Sequence, residues 1–545
     1  LRNELTVDAD LPPLTEVNGR LRFTGSSVSL KDARAQLLGS PVVINAATRG
    51  DGAVAINAQG SLNIASMRKT MEHRLLEHLS GSAPWRASVL VKNRSADVRL
   101  ESSLQGIASS LPEPFNKTSA ETLPLRFERS SATEGRDELR IGLGDEMSAR
   151  LMRRHGQERI VIERGVIGIG EAPALPEQGV LLAASVPAFN VDFWRALFAA
   201  GGGNGGGQGG HPVTQLSLRT NELIAFDRPF NEVVLRAALQ DNTWQGQVAS
   251  REVSGEFGWK SDGRGRLGAR LKQLTLNDTR PGHSLVSEEP LRELPGLDIV
   301  ADGFTLRGRK LGKLELAATN AANGWQLDRL AISNPDGTLV SDGLWSGSGT
   351  QLNFRLDVAS IGKMMERLGY ADAVRRGTAK LEGRVSWNGT PTQIDHATLN
   401  GTLKAEAANG QFNKLDPGVG RLLGILSLQS LPRRITLDFR DIFSDGFAFD
   451  SIGGSARVAQ GVLNTQDLQI QGPSAKIHMK GEVSIPAETQ NLRVRIEPAL
   501  GETLAVGAMI ASPAVGAAAW VAQKLLKDPF GQMFAFEYAI TGSWA

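Results

Sequence analysis

The residues best suited to catalysis or metal binding are scattered along this chain. His73 and His78 are five apart on one predicted helix, so they lie on different faces and form no metal-binding pair. The segment 263–268 (Gly-Arg-Gly-Arg-Leu-Gly) fits a GxGxxG pattern, but it joins two strand-like segments and therefore predicts a turn. Carboxylates such as Asp438 and Asp441 fall on polar faces. With no cysteine in the sequence, thiolate chemistry is also excluded. We predict that the chain is not an enzyme and needs no cofactor or metal ion.

The bulk composition excludes a second class of function. Sixty Lys and Arg residues against 58 Asp and Glu give a formal net charge of +2. A balanced charge without a basic stripe is not the electrostatic footprint of a nucleic-acid-binding protein. At 545 residues the chain is too long for one ordinary compact domain. Its 61 glycines suit the many tight turns of an all-β protein.

Alternation of apolar and polar residues is the strongest pattern in the chain. From residue 475 to 485 the apolar side chains fall on every second position, with Lys476, His478, Lys480 and Glu482 between them. Successive side chains of a strand point to opposite faces, so each such segment has one apolar and one polar face. The residues predicted to line the apolar face are Val233, Leu235, Leu314, Leu316, Phe354, Leu356, Ile435, Leu437, Phe439, Phe447, Phe449, Leu468, Ile470, Ile477, Met479, Val483, Val494 and Ile496.

Short helices interrupt these strands at similar places. We predict helices near 66–79, with Ser66 as N-cap, near 190–198 and near 361–368. The first and third overlap two related sequences, 64–72 and 358–366, and both precede strands that contain a tryptophan. A loose internal repeat of this kind is typical of elongated repetitive folds. The predicted segments are 1–200, a Gly-rich flexible loop at 201–210, 211–415, 416–500 and 501–545.

Two apolar stretches near the C-terminus depart from the strand pattern. Residues 419–431 predict a short apolar helix. Residues 504–523 carry no charge and are long enough to span a bilayer, but Ser512-Pro513 would break a helix midway. Two short helices fit better, either against a membrane or as a cap on the β structure. The residues predicted to contact a membrane are Leu504, Val506, Met509, Ile510, Val515, Trp520, Lys524 and Lys527.

The apolar faces allow two interpretations. In a β-sandwich they would be buried core. In an open, curved sheet they would line a groove for an apolar ligand, because large exposed apolar surfaces mark binding sites. Periodicity alone does not separate the two.

Several segments resemble one protein family as a set. They are residues 431–443 (Leu-Pro-Arg-Arg-Ile-Thr-Leu-Asp-Phe-Arg-Asp-Ile-Phe), 446–450 (Gly-Phe-Ala-Phe-Asp), 461–465 (Gly-Val-Leu-Asn-Thr), 542–544 (Gly-Ser-Trp), 110–117 (Ser-Leu-Pro-Glu-Pro-Phe-Asn-Lys) and 123–125 (Leu-Pro-Leu). Together they are similar to the C-terminal part of the YhdP members of the AsmA-like family, which is related to TamB.

The resemblance implies a mainly β fold, in which an elongated, repetitive antiparallel sheet curves into an open groove and carries a few short helices. It further implies bridge-like transport of phospholipids across the periplasm between the inner and outer membranes of a Gram-negative envelope. An inner-membrane anchor would then lie upstream, with the C-terminal end at the outer membrane and any protein partners unidentified. A structural or adhesive β-rod that carries no lipid is the alternative. An envelope enzyme acting on glycans has no carboxylate pair to support it.

Overall fold

A computed structural model describes residues 4–5, 12–71, 73–92, 95–133, 135–156, 160–199, 213–277, 294–391, 393–413, 447–473, 475–498 and 536–543. Contacts within the chain divide it near residue 256. The first unit comprises Leu1–Glu256, and the second is built mainly from Phe257–Asn277 and Ser284–Ala545.

Strands dominate both units. In the first unit they are β1 Glu4–Leu5, β2 Leu14–Phe23, β3 Val28–Leu37, β4 Ser40–Thr48, β5 Val54–Asn63, β6 Leu79–Lys92, β7 Ser95–Ser102, β8 Ile107–Ser109, β9 Leu125–Thr133, β10 Arg136–Leu143, β11 Met147–His155, β12 Ile160–Ile169, β13 Gly179–Asn190, β14 Gln215–Ala225, β15 Arg228–Gln240 and β16 Thr243–Ala249, with β17 Val253–Lys260 at the division. In the second they are β18 Arg266–Leu276, β19 Gly296–Leu306, β20 Arg309–Ala321, β21 Gly324–Asn334, β22 Gly337–Ser346, β23 Gly349–Val358, β24 Val374–Trp387, β25 Asn400–Phe412, β26 Phe447–Ala459, β27 Val462–Gln471, β28 Ala475–Ser484, β29 Thr489–Pro498 and β30 Phe536–Ser543.

Most strands pair antiparallel with the next strand in the chain. In the first unit this holds from β1 to β7, from β9 to β12 and from β14 to β16, while β7 pairs with β9 and the short β8 pairs with the start of β6. In the second unit it holds from β19 to β30. The prediction of a mainly β, mostly antiparallel repetitive sheet with short helices is therefore confirmed.

The sheet is mixed, because neighbouring strands pair in parallel at three places. β12 pairs with β13 in parallel, β13 with β14, and β18 with β19. Parallel neighbours need a crossover connection longer than a hairpin turn, and residues 170–178 connect β12 to β13 in this way. Alternation within a strand is the same in both arrangements, so the sequence pattern does not distinguish them.

The helix predicted near 66–79 is two shorter elements. Helix α1 spans Ile64–Thr70, and Asn63 caps it by accepting a hydrogen bond from the Ser66 backbone nitrogen at 3.0 Å; the cap is therefore not Ser66. A 3₁₀ helix follows at Arg74–His78, with the His73 ring nitrogen accepting from the Leu75 backbone at 3.2 Å. The side chains of Asn63 and His73 accept hydrogen bonds from the backbone, so each begins a separate helical segment. The amino-acid composition of 66–79 does not show this division, and it therefore predicts one helix.

Two further helices lie close to their predicted positions. Helix α2 spans Val191–Ala199 and helix α3 spans Ile361–Arg367. Ile361 and Met364 of α3 are buried against Val358 and Val374, at the ends of the strands that the helix connects. The first three residues of the GxGxxG segment, 263–265, form the predicted turn between β17 and β18, with positive φ at Gly263 and Gly265, and the last three belong to β18.

On many strands one face is more buried than the other. On β29, Gln490, Leu492, Val494 and Ile496 are buried, and the residues between them up to Arg495 are exposed. We call the more buried face the inner face and the opposite one the outer face. Residues directly opposite each other on paired strands share a face, so the strand registers extend this distinction from strand to strand within each unit.

Candidate functional site

The inner face of β20–β25 in the second unit carries two unbroken rows of directly opposed residues. The first row consists of Leu314, Ile332, Leu339, Leu356, Leu381 and Ala405. The second consists of Leu316, Leu330, Ser341, Phe354, Gly383 and Leu403. Opposed residues have Cβ atoms about 4.5–5.5 Å apart, so each row is a continuous surface. All four predicted residues of this part, Leu314, Leu316, Phe354 and Leu356, lie in these rows.

Most of this surface is only partly covered. Leu314 is buried, but Leu316, Phe354 and Leu356 are half-buried. The Phe354 ring lies over Gly383, where an added Cβ would come within 3.2 Å of the ring. A half-buried row of leucine and phenylalanine side chains can take up further apolar contacts, which a fully packed core cannot.

The inner face of β27–β29 brings most of the other predicted residues together. Leu468, Met479 and Val494 form one row, and Ile470, Ile477 and Ile496 form the next. Val483 lies opposite Leu463 and Gln490.

Burial differs within these rows. Ile477 is 2% exposed and Val494 0%, whereas Leu468, Met479 and Val483 are half-buried. The buried members belong to a cluster that also contains Ile361 and Met364 of α3, so this end of the face is closely packed.

Phe447 and Phe449 lie in the same packed cluster. Phe449 is opposite Gly410 on β25, and a Cβ at Gly410 would come within 2.3 Å of the Phe449 ring. The ring therefore occupies the space that the glycine leaves. Phe412 packs beside it, with ring centroids 5.1 Å apart.

The two predicted residues of the first unit share a face with each other. Val233 and Leu235 are two positions apart on β15; Val233 lies opposite Thr220 on β14, and Leu235 lies opposite Leu218. Val233 is buried and Leu235 is half-buried. They form a local apolar surface within the first unit.

The remaining predicted site residues lie outside the described residues. They are Ile435, Leu437, Phe439, Leu504, Val506, Met509, Ile510, Val515, Trp520, Lys524 and Lys527. The predicted helix at 419–431 and the loop at 201–210 fall there too. Among the helices that the structure does describe, none has the length and apolar character needed to cross a membrane.

Charges of alternating sign cover the outer face behind the apolar rows. Arg355, Glu382 and Lys404 are directly opposed on β23, β24 and β25. Asp357, Lys380 and Glu406 form the neighbouring line with the signs reversed. Hydrogen bonds from Arg355 lower the pKa of the Asp357 carboxyl, and those from Lys404 lower that of Glu406. This arrangement favours one register and keeps the outer face polar.

Several residues of these rows are not among the site residues predicted from the sequence. Leu330, Ile332, Leu339, Leu381 and Leu403 complete the apolar surface. Their alternation was visible, but which strands would be neighbours was not. In the described part of the chain, no group of three or more His, Cys, Asp or Glu side chains is placed to hold a metal ion.

Comparison with known proteins identifies the family. The model of the YhdP protein family matches residues 2–545. The intermembrane phospholipid transporter YhdP of Escherichia coli (strain K12) is 26% identical over 558 residues, which cover 97% of this chain and 43% of that protein. The chain thus spans less than half the length of this curated relative, and no solved structure matches it. Since the family match extends over nearly every residue, the chain belongs to the YhdP family.

Proposed function

We propose that this chain binds phospholipids on its inner face and forms part of a path along which they pass between two membranes. The observation that carries the proposal is the pair of half-buried apolar rows across β20–β25, backed by a charged outer face. The similarity to an intermembrane phospholipid transporter supports the same conclusion.

The physical basis is desolvation of acyl chains. Each Å2 of apolar surface removed from water contributes on the order of 25 cal/mol. Leu316, Phe354 and Leu356 offer such surface without a polar group that would fix a lipid in one position. Because the hydrophobic effect is non-directional, a bound chain can move along a row from strand to strand at little cost.

The similarity to an intermembrane transporter supports a place for the chain in the cell envelope. In the proposed arrangement the chain lies in the periplasm, with its C-terminal end at the outer membrane. Residues 504–527, the apolar stretch and the lysines after it, provide the outer-membrane contact. Lipid transfer of this kind requires no catalytic residue.

A structural role is the second candidate function for the part of the inner face that lies on β28 and β29. Val494 is 0% exposed and Ile477 is 2% exposed, so the inner face of β28 and β29 has its deepest side chains packed against protein. There the lipid path is restricted to the half-buried Leu468, Met479 and Val483.

Site-specific photo-crosslinking tests the proposal. A benzophenone amino acid at Leu339 or Phe354, on the inner face, should crosslink to phospholipid in cells. The matched controls are Val340 and Arg355, the next residues on the same strands, which lie on the outer face. Val340 is apolar and 38% exposed, so it controls for nonspecific adhesion to lipid. Equal labelling at Leu339 and Val340, or no phospholipid at either inner position, would rule out the proposed lipid path.

A further inference from the structure

The two edges of the sheet in the second unit differ in charge. At one edge β19 turns into β20 at 307–308, β21 turns into β22 at 335–336, and α3 joins β23 to β24. We call this edge the α3 edge. The connections at the opposite edge contain two carboxylates, Asp395 and Glu488, and no lysine or arginine. These opposite connections are residues 322–323, 347–348, 388–399, 460–461 and 485–488.

Cations are concentrated at the α3 edge. The hairpin between β19 and β20 and helix α3 together carry five cations against one carboxylate, Glu366. The five are Arg307, Arg309, Lys310, Lys363 and Arg367. Because the formal net charge of all 545 residues is only +2, this excess is a local feature.

Contacts bring the hairpin and the helix together. Arg367 donates to the Lys310 carbonyl oxygen at 3.1 Å and, from Nε, to the Asp336 carboxylate at 2.9 Å. The Arg309 guanidinium lies over Gly369, just beyond the helix, where a Cβ would come within 2.1 Å of a guanidinium nitrogen. The cations of the hairpin and those of α3 therefore belong to one surface.

Three of these cations have donors that are open to a ligand. Arg309, Lys310 and Lys363 are exposed, and within the described part of the chain no group accepts a hydrogen bond from their side chains. Arg367 differs from them, because the Asp336 carboxylate occupies its guanidinium and holds the helix against the neighbouring turn.

Stability does not account for the open cations. Neighbouring like charges repel, so their concentration at one edge works against the folded state. Lys363 lies in the first turn of α3, where the helix dipole disfavours a cation. Exposed cations that form no bond within the protein are suited to an anionic ligand.

We propose that the α3 edge binds the phosphate of an anionic phospholipid headgroup through Arg309, Lys310 and Lys363, with the acyl chains lying on the inner face beside it. This inference rests on the proposed function and adds to it a preference for anionic over zwitterionic headgroups. Guanidinium and ammonium groups both bind phosphate oxygens. Since the opposite connections lack cations, bound headgroups would all lie at the same edge.

The dimensions fit a lipid lying along the strands from this edge. Along β20, Lys310 is about 14 Å from Leu314 and about 20 Å from Leu316, at roughly 3.4 Å per residue. Half of a bilayer, headgroups included, is about 20–22 Å thick. Leu314 and Leu316 are the β20 members of the two apolar rows, so the acyl chains of a lipid held at the edge would reach both rows.

The test compares two photoreactive phospholipids with identical acyl chains, an anionic phosphatidylglycerol and a zwitterionic phosphatidylethanolamine. Each is added to the purified chain, and labelled peptides of β20–β24 are identified by mass spectrometry. One Lys or Arg beside an anionic lipid surface contributes roughly fivefold in affinity, so wild type should label at least about fivefold more strongly with phosphatidylglycerol. Raising the salt from about 0.1 to about 1 M shortens the Debye length from roughly 10 to roughly 3 Å, so the preference should fall below about twofold.

A triple variant removes the proposed donors. In Arg309→Gln/Lys310→Gln/Lys363→Gln the preference for phosphatidylglycerol should disappear while labelling by phosphatidylethanolamine persists. The three side chains are exposed, so the variant should keep its fold, which circular dichroism checks.

A matched control removes the same charge elsewhere. The control Lys476→Gln/Lys480→Gln/Arg493→Gln removes three exposed cations from the outer face of β28 and β29 in the same unit. It should keep the wild-type preference, because these residues lie away from the α3 edge on the other face of the sheet.

The outcomes distinguish this inference from the proposed function. Equal labelling by the two lipids in wild type, or an unchanged preference in the triple variant, overturns the headgroup site and leaves the apolar path intact. Loss of the preference in the control as well would assign it to overall charge and would also overturn the site. Displacement of phosphatidylglycerol by soluble glycerol phosphate would show a site for free phosphate, with the same consequence. If neither lipid labels β20–β24, the proposed function itself fails in this unit.

Discussion

Replacing Ile477 by alanine should loosen β27–β29 far more than a change on the outer face nearby. The Ile477 side chain is 2% exposed and lies between Ile470 and Ile496 on the neighbouring strands. The substitution removes roughly three buried carbon atoms at about 0.8 kcal/mol each, and the cavity left behind raises the expected cost to about 2–5 kcal/mol. Because Ile477 belongs to the cluster that also contains Ile361 and Met364 of α3, this cost should appear in β27–β29 and in the residues packed against them.

Amide hydrogen exchange measures that local cost. A loss of 2–5 kcal/mol in local opening free energy corresponds to exchange that is roughly 30-fold to several thousand-fold faster in β27–β29. His478→Ala is the matched control, because His478 is the next residue on the same strand and is exposed on the outer face. Its effect should stay within about 0.5 kcal/mol, or roughly twofold.

The comparison has a clear refuting result. If Ile477→Ala accelerates exchange no more than His478→Ala, the inner face of β28 is not packed, and the division of this face into a packed end and an open part is wrong. Leu356→Ala, at a half-buried position of the open part, should cost less than Ile477→Ala and should reduce phospholipid crosslinking at Phe354.

Three further predictions concern charge and close packing. Burial alone would raise the pKa of Asp137 on β10, but the hydrogen bonds from Arg153 and His155 outweigh it. Because the pKa of Asp137 is depressed, its ionised form stabilises the fold above the unfolded-state pKa of about 3.9, and this contribution is lost as pH falls through the folded-state pKa. The difference in unfolding free energy between wild type and Asp137→Asn, measured by urea titration, should therefore shrink between pH 7 and pH 3. A difference that stays constant over this pH range would contradict the prediction. Glu382→Lys places a third cation between Arg355 and Lys404, so the thermal midpoint of unfolding should fall. Adding Arg355→Glu should recover part of that loss. A double variant without any recovery would exclude cross-strand pairing. Gly410→Ala drives a methyl group into the neighbouring phenylalanine ring and should cost about 1–3 kcal/mol by urea denaturation; a neutral effect would mean that the ring moves freely.

The sequence was most informative about properties that depend on a single strand. The alternation of residues 475–485 correctly separates the inner Ile477 and Met479 from the outer Lys476 and His478, because side-chain period is a local property of extended backbone. Helix α3 was predictable because its sequence signal is local as well. Partner strands are not encoded locally, so the parallel pairing of β18 with β19 was missed.

Two properties of the site could not be read from periodicity. Alternation assigns a residue to a face but does not say what covers it, so it cannot tell the fully buried Val494 from the half-buried Met479. The cations of the α3 edge also escaped notice, because Lys310 and Arg367 are 57 positions apart in the sequence. Their proximity follows from the order of the paired strands β20–β24.

Pairing between strands that are consecutive in the chain has a consequence for the kinetics of folding. Hairpin contacts join residues close in sequence, so loop-closure entropy is small and each new strand can add to the one before it as soon as it is available. Such a chain can fold from one end while the rest is still being synthesised or threaded through a narrow pore. The exceptions include the parallel pairs β12–β13, β13–β14 and β18–β19 and the antiparallel pairs β25–β26 and β29–β30, since in each the next strand must wait for a longer connection. These connections are the positions where stepwise folding should pause.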